Sequence, residues 1–375
     1  MRRPRATTRR PRLTAAALAA VCAALLAGCT SDPAPADTRS AAGKNGDTPP
    51  LAGRAAPALL PVPHGKGSKL PDDFNGDGHR DLVLNDLVKA AGDSHGDDAG
   101  IGIVYGTAAA RTLDPAVRRL LTPRANAAPV DGTLPAAFDA EASCDLDKDG
   151  YADLIVATDP PYTGIGRPPV PLQLLFGSPA GLGGKAVVLR IPEQARYGNE
   201  WPDHPVCGDF DGDGSNDLAV TASSGRVSFL RGPFARTGAP RAAAAPVEGG
   251  GPALSAPATG PDTNDDGYDD LVVSARAPKP GAPAKGTLLL GGPKGPARAG
   301  GPYRAKAITL PPPPALPAGE ASAVTDLLGY ADFDGDKRPD PVTRTHRGER
   351  LDVVALYPSS GARPIVTFST SVFLP

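Results

Sequence analysis

Residues 209–217 read Asp-Phe-Asp-Gly-Asp-Gly-Ser-Asn-Asp, and the apolar run Leu218-Ala219-Val220 follows directly. Four further copies of this string begin at Asp73, Asp145, Asp262 and Asp332. Every copy keeps Asp or Asn at positions 1, 3, 5 and 9. Self-similarity at intervals of this length is the signature of a repeat architecture, in which each unit contributes one small piece of secondary structure.

The spacing of the acidic residues predicts a loop that coordinates a hard cation. Calcium takes six to eight oxygen ligands, mainly from carboxylates and carbonyls. Side chains at positions 1, 3 and 5 converge when the backbone curls, the Gly at position 6 permits the turn, and position 7 offers its carbonyl. Without a cation the clustered carboxylates would repel one another. A single Asp-rich segment is often only a solvated turn, but five copies with one spacing argue against that alternative.

The predicted calcium ligands lie at positions 1, 3, 5, 7 and 9 of each loop. They are Asp73, Asn75, Asp77, His79 and Asp81; Asp145, Asp147, Asp149, Tyr151 and Asp153; Asp209, Asp211, Asp213, Ser215 and Asp217; Asp262, Asn264, Asp266, Tyr268 and Asp270; and Asp332, Asp334, Asp336, Arg338 and Asp340. In the fifth loop, Lys337 replaces the turn Gly and two prolines stiffen the exit. We therefore expect four strong sites and a fifth that is weak or empty.

The residues after each loop exclude an EF-hand and predict strands. An EF-hand needs a bidentate Glu at position 12 and flanking helices, whereas position 12 is Leu84, Val156, Val220, Val273 or Thr343. The loop is followed by a short β-branched run and then by a second apolar run. Fourth strands are expected in residues 185–191, 305–310 and 364–368. Each repeat then forms one four-stranded blade, which predicts an all-β propeller. Five blades fit the length, while six or seven would need shorter, degenerate ones.

These repeats resemble the FG-GAP/VCBS repeats of integrin α-subunits and of many exported bacterial proteins. The Asp-x-Asp-x-Asp-Gly-x-x-Asp-Leu cores carry the resemblance, together with Phe176-Gly177 for the "FG" part. The resemblance covers residues 69–375, in repeats of about 69–130, 131–195, 196–250, 251–318 and 319–375. It implies a calcium-binding propeller that presents its face loops to a ligand.

The first 29 residues have the pattern of an export signal. Six arginines between positions 2 and 12 precede the apolar stretch 13–27, which is too short for a comfortable membrane span. The segment ends in Leu26-Ala27-Gly28-Cys29, which resembles the lipobox of bacterial lipoproteins and predicts lipidation of Cys29; an ordinary cleaved signal peptide is the alternative. Residues 30–68 are rich in Ala, Pro and Gly and are predicted to form a disordered tether. The expected location is the outer face of the cell membrane, with contact only through the lipid.

Two cysteines, Cys144 and Cys207, remain in the repeat region, in a compartment where disulfides persist. They precede equivalent loops, so either a disulfide between them or two buried thiols is expected.

The sequence favours binding over catalysis. It contains no Gly-x-Ser-x-Gly elbow, Walker A loop, His-Glu-x-x-His or Cys-x-x-Cys motif. Only six of the 41 acidic residues are Glu, which leaves few acid/base pairs outside the loops. The formal net charge of −2 gives no sign of a nucleic-acid partner. We expect a non-catalytic binding, adhesion or scaffold module for an extracellular protein or glycan; a hydrolase or lyase with its site at the propeller channel mouth is the alternative.

Overall fold

A computed structural model describes residues 56–94, 98–159, 172–248, 253–254, 262–274, 285–304, 308–314, 324–347 and 350–374. The export signal, Cys29 and residues 30–55 lie outside these ranges. The described chain confirms the all-β prediction, with five antiparallel sheets whose strands follow chain order.

The strands of the five sheets have the following bounds. Sheet 1 contains β1 (Leu82–Leu84), β2 (Ile101–Thr107) and β3 (Thr112–Leu121); sheet 2 contains β4 (Ala137–Cys144), β5 (Asp153–Asp159), β6 (Gln173–Leu175) and β7 (Val187–Val188); sheet 3 contains β8 (Val206–Gly208), β9 (Asp217–Ala222), β10 (Arg226–Arg231) and β11 (Ala242–Ala243); sheet 4 contains β12 (Ala253–Leu254), β13 (Leu271–Ser274), β14 (Lys285–Leu290) and β15 (Arg298–Arg304); and sheet 5 contains β16 (Thr325–Ala331), β17 (Asp340–Arg347), β18 (Arg350–Leu356) and β19 (Val366–Ser369).

Helices are few and short in the described chain. They are α1 (Pro123–Asn126), α2 (Glu193–Arg196) and the 3₁₀ turns Ser223–Gly225 and Thr370–Phe373. None of the helices in these ranges has the length and apolar character that crossing a bilayer requires.

The apolar residues of the second strands point alternately toward two neighbouring sheets. Because successive side chains of a strand face opposite sides, Leu154 and Val156 of β5 pack toward sheet 1, whereas Ile155 packs toward sheet 3. Both faces are therefore buried, which explains why these strands are continuous apolar runs in the sequence.

Four buried clusters link the sheets in the order 5, 1, 2, 3, 4. Val342 and Val354 of sheet 5 pack with Leu82 of sheet 1, and the clusters between sheets 1 and 2 and between sheets 2 and 3 follow. Phe229 of β10 then packs with Leu271 of sheet 4. Each sheet thus presents its face to a neighbour, as the repeated apolar pattern requires.

Sheet 1 departs from the predicted four strands, because no strand of the described chain pairs with the free edge of β1. The carbonyl of Asp72 accepts the Asp81 N–H, as at the start of a hairpin. Pro71, however, has no N–H with which to continue a ladder. A cavity of about 460 Å³ lies between β1 and β16.

The segment before this sheet also differs from the sequence expectation. The composition predicts a disordered tether that includes residues 60–68, yet these residues hydrogen-bond to the folded repeats. The N–H groups of Gly65 and Ser68 donate to the carbonyls of Asn75 and Gly150, at 3.0 and 2.7 Å, and Leu60 N–H donates to Ala116. The folded region therefore begins before residue 69, because this segment bridges the first two loops.

The predicted fourth strands of sheets 2 and 5 are confirmed, while that of sheet 4 lies earlier than expected. It spans Arg298–Arg304 and is exposed along most of its length, so no apolar pattern marks it. Residues 308–310, inside the predicted strand, are not in a sheet.

Cys144 at the end of β4 and Cys207 in β8 form a disulfide with a Cα–Cα distance of 6.3 Å. The bond joins sheets 2 and 3 at their shared core.

Candidate metal centres

The five Asp-rich loops occupy equivalent positions in the fold. Loops 2, 3, 4 and 5, which begin at Asp145, Asp209, Asp262 and Asp332, connect the first and second strands of sheets 2 to 5. Loop 1, which begins at Asp73, leads into β1. In sheets 2 to 5 the loop therefore lies at the edge of the sheet where the first strand ends and the second begins. Loop 1 lies at the corresponding end of β1.

Hydrogen bonds inside each loop turn the carboxylates inward. In loop 2, the Asp145 carboxylate accepts the N–H groups of Asp149 and Gly150 at 3.0 and 2.8 Å, and Asp149 accepts the N–H of Tyr151 at 3.1 Å. Loops 1 and 4 repeat all three bonds. Loop 3 has the bonds to positions 6 and 7, and loop 5 has them as well. Short Asp side chains that bond their own backbone account for this curl.

The Asp at position 9 has a role that the sequence did not indicate. Its carboxylate accepts one hydrogen bond from its own loop and one from the end of another strand of the sheet. Asp153 is buried, and its Oδ2 accepts the N–H of Leu146 while its Oδ1 accepts the N–H of Gly177, at 2.8 and 2.9 Å. The same pair of bonds is made by Asp81 and Asp270, and Asp217 accepts the equivalent glycine N–H from Gly232. Position 9 therefore ties its own loop to the end of the third strand in sheets 2 to 4 and to the corresponding strand, β2, in sheet 1.

The glycine at the end of the third strand is required by this close approach. A Cβ added to Gly177 would lie 2.3 Å from the carbonyl oxygen of Ala152, at loop position 8. Equivalent distances in the other loops are 2.0–2.4 Å, for Gly106, Gly232 and Gly291. Sheet 5 has no such glycine, because Tyr357 occupies the place where the third strand ends and bonds to Pro341.

Several buried oxygens of the loops have no hydrogen-bond partner. Such groups are costly unless something satisfies them. They are Asn75 Oδ1, Asp209 Oδ1, Asp211 Oδ1, Asp217 Oδ2 and Asp340 Oδ1. All five belong to positions 1, 3 or 9. A cation at the centre of loop 1 or loop 3 would give a partner to the unpaired oxygens of those loops, so their donor sets fit a metal ion.

Three loops bring carboxylates close enough to share one ion. Asp145, Asp147 and Asp153 each offer an oxygen within 4.8 Å of the others, and the equivalent sets are Asp209, Asp211 and Asp217, and Asp332, Asp334 and Asp336. Loops 1 and 4 have Asn at position 3, and its amide oxygen is a ligand of the same hard type.

The electrostatics of these loops favour a positive partner. Burial, together with the neighbouring loop carboxylates, raises the pKa of Asp153 to about 8 and that of Asp217 to about 7. Burial and Asp149 raise the pKa of Asp147 to about 6, against the lowering effect of Arg236. Desolvation and like-charge repulsion both disfavour the ionised form, and a bound cation would relieve both.

Position 7 brings neighbouring loops into contact. A Cβ at Gly76, position 4 of loop 1, would meet the Tyr151 ring, and Tyr268 stands in the same relation to Gly212. Between loops 2 and 3, Lys148 Nζ donates to the Ser215 hydroxyl at 3.2 Å. The carbonyl role of position 7, including that of His79 and Arg338, stays a prediction.

The fifth loop keeps the same conformation despite its altered sequence. Lys337 has φ 67°, in the left-handed region where Gly occurs in the other four loops. Its N–H still donates to Asp332, at 2.9 Å. A side chain in this region costs about 1–2 kcal/mol, so weaker binding stays the prediction.

No model of a known protein family and no curated protein matches the chain.

Consecutive loops are also joined through their backbones. The carbonyl at position 1 of loop 1, on Asp73, accepts the Ala152 N–H at 3.0 Å, and that of Asp209 in loop 3 accepts the Asp269 N–H at 3.1 Å. Between loops 2 and 3 the Asn216 side chain makes the equivalent bond to Asp145, at 3.0 Å. Each donor lies at position 8 of the next loop, so loops 1 to 4 are related by one repeated contact.

Proposed function

We propose that the chain is a calcium-stabilised β-propeller that works as an exported, lipid-anchored binding module. The repeated contact between consecutive loops is the observation that carries the architecture. The same position-8 donor bonds the same position-1 carbonyl in three successive pairs, and the buried clusters extend the order to sheet 5. Repeated face-to-face packing of small antiparallel sheets is the arrangement of blades in a propeller, and it supports this architecture.

The buried oxygens without partners support the metal. Carboxylates at positions 1, 3, 5 and 9, with Asn at position 3 of loops 1 and 4, would hold calcium, which prefers all-oxygen sites. Hydrogen bonds keep each loop curled, and loops 1, 2 and 3 are also bonded to the next sheet, by Ser178, Phe234 and Gly292 N–H groups. In these three loops the ion would stabilise both the loop and the interface between blades.

The ions would contribute an appreciable part of the stability. Extracellular calcium modules have Kd values of about 10⁻⁴–10⁻³ M. At about 1 mM free calcium, mass action gives roughly 0.4–1.4 kcal/mol for each site. Four or five sites give about 2–7 kcal/mol, against about 5–15 kcal/mol for a typical domain.

Thermal melting tests the calcium role. We expect the melting temperature to fall on chelation and to recover with calcium but not with equal magnesium, which demands a tighter octahedral site. Full recovery with magnesium would argue against calcium as the ion.

Binding is tested on the purified chain in calcium buffer, with a glycan array and with candidate extracellular proteins. We expect a saturable ligand that is lost when calcium is chelated. Export and anchoring are tested by labelled palmitate, whose incorporation should disappear in Cys29→Ala. Incorporation that persists in this variant would contradict the lipobox.

One observation favours an enzyme instead. Asp139, near the end of β4 remote from loop 2, has a pKa raised to about 7 by burial and by Asp98, Asp86 and Glu141. Burial also raises the pKa of Glu141, with a lowering effect from His204 and a further raising effect from Asp203. Such a group can act as a general acid. Turnover of a glycoside or polyuronate substrate that is lost in Asp139→Asn would establish the hydrolase or lyase alternative.

A further inference from the structure

The number of carboxylates differs among the loops in a regular way. Position 3 is Asp147 in loop 2 and Asp211 in loop 3, but Asn75 in loop 1 and Asn264 in loop 4. Loops 2, 3 and 5 therefore place four carboxylates at positions 1, 3, 5 and 9, where loops 1 and 4 place three. An additional carboxylate raises the repulsion inside a loop that has no cation.

In two of the three loops with four carboxylates, an arginine from outside the loop contacts the acidic side chains closely. Arg236 Nε lies 2.8 Å from Asp147 Oδ2, and its terminal nitrogen also pairs with Asp149. In loop 3, Arg231 Nε lies 3.4 Å from Asp211 Oδ2, and Arg241 pairs with Asp213. The position-3 aspartates of loops 2 and 3 are thus each paired with a guanidinium.

The loops with asparagine show a different arrangement. The Asn75 amide donates to the Pro63 carbonyl at 2.9 Å, and the described residues contain no ion pair to Asp73, Asp77 or Asp81. Loop 4 has one distant pair, between Arg298 and Asp266 at 4.0 Å. Loop 5, which has Asp334, carries Lys337 and Arg338 within its own sequence.

Arg236 is positioned by contacts that do not depend on the ion pairs. It belongs to a turn of sheet 3 whose Phe234 N–H donates to the Leu146 carbonyl of loop 2 at 2.7 Å, and Gly238 N–H closes the turn on Ala235. The guanidinium lies over the Phe176 ring, 5.1 Å from its centre. This contact with Phe176 does not involve Asp147 or Asp149, so it remains available to Arg236 when those carboxylates bind a metal ion.

We propose that Arg236 and Arg231 are resident counter-ions, each matched to the additional aspartate at position 3. They help to keep these two four-carboxylate loops folded when metal is absent, and they compete with a divalent cation for the carboxylates. They therefore lower the metal affinity of loops 2 and 3. This inference rests on the proposed calcium binding and adds the residues that set its strength.

The test is calcium titration calorimetry of the full chain with Arg236→Gln. The loop 2 phase is the one that Asp145→Asn removes. We expect this phase to tighten by about three- to tenfold, since the guanidinium no longer competes. The melting temperature of the calcium-free protein should fall by about 1–3 °C. Arg124→Gln, which removes an exposed arginine on α1, should change neither quantity.

A double variant provides the sharper comparison. Asp147→Asn with Arg236→Gln reproduces the arrangement of loops 1 and 4, so the calcium-free melting temperature should return to that of the wild type. Arg231→Gln at loop 3 is a second, independent variant. Wild-type protein that binds no calcium would overturn the proposed function. Wild-type protein that binds calcium, with unchanged or weaker binding in Arg236→Gln and Arg231→Gln, would overturn this inference alone.

Discussion

Gly177→Ala is expected to destabilise the protein because this glycine lies where a backbone and a buried carboxylate meet. Its N–H donates to Asp153 Oδ1 at 2.9 Å. An added Cβ would lie 2.3 Å from the Ala152 carbonyl oxygen, 2.8 Å from Tyr151 Cβ and 3.0 Å from the Phe74 carbonyl oxygen. Two of these atoms belong to the backbone, so the loop itself must move.

The expected loss follows from two effects. Overpacking typically costs about 1–3 kcal/mol. A weakened hydrogen bond to a buried charged group costs about 1.5–3 kcal/mol more. We therefore expect the unfolding free energy to fall by about 3–5 kcal/mol, a large fraction of the stability of a domain.

Urea unfolding in calcium-saturated buffer, followed by circular dichroism, measures this change. Gly184→Ala is the matched control, since a Cβ there meets nothing within 4 Å, and its effect should stay below about 1 kcal/mol. If Gly177→Ala also stays below about 1 kcal/mol, the proposed fastening of loop 2 by Asp153 is incorrect.

Two other outcomes follow from the core and the loops. Replacing Cys144 and Cys207 by Ser opens a link with a sequence separation of 63, which the chain-entropy relation values at about 4 kcal/mol of unfolding free energy; thiol labelling of Cys144 and Cys207 in the unreduced, unfolded protein, located by peptide mapping, would contradict the bond. In metal-free protein, the raised pKa values of Asp153 and Asp217, about 8 and about 7, mean that the folded state binds more protons than the unfolded state above pH ~4. The melting temperature should therefore fall as pH rises from about 5 to about 8, and saturating calcium should remove this trend; equal slopes with and without calcium would argue against the cluster electrostatics.

The sequence predicted the parts of the fold that the loop motif controls directly. The five loops, the apolar strands after them and the all-β class follow from repeated spacing and β-branched runs. The strand β15 could not be found in this way, because Ala299, Gly300 and Gly301 give it no apolar alternation and it is exposed. The three-stranded form of sheet 1 was not predicted, because the repeat pattern implies a strand before every loop, whereas Pro71 lacks the N–H that would continue one there.

The hydrogen bonds between position 9 and a distant glycine could not be predicted from the sequence, for a different reason. Its glycine partners recur in the sequence as Gly106, Gly177, Gly232 and Gly291, but they follow the aspartate at separations of 25, 24, 15 and 21 residues. Variable loops between the second and third strands obscure the pairing. The contact of Arg236 with Asp149 spans 87 residues, and only the packing of one sheet on the next brings these side chains together.

Native mass spectrometry of the purified full chain, with the metal identified by elemental analysis, tests the central claim most directly. We predict four or five calcium ions per chain, and one fewer in Asp145→Asn. A folded chain that carries no divalent metal in calcium buffer would show that the clustered loop oxygens are stabilised in some other way, and would contradict the account.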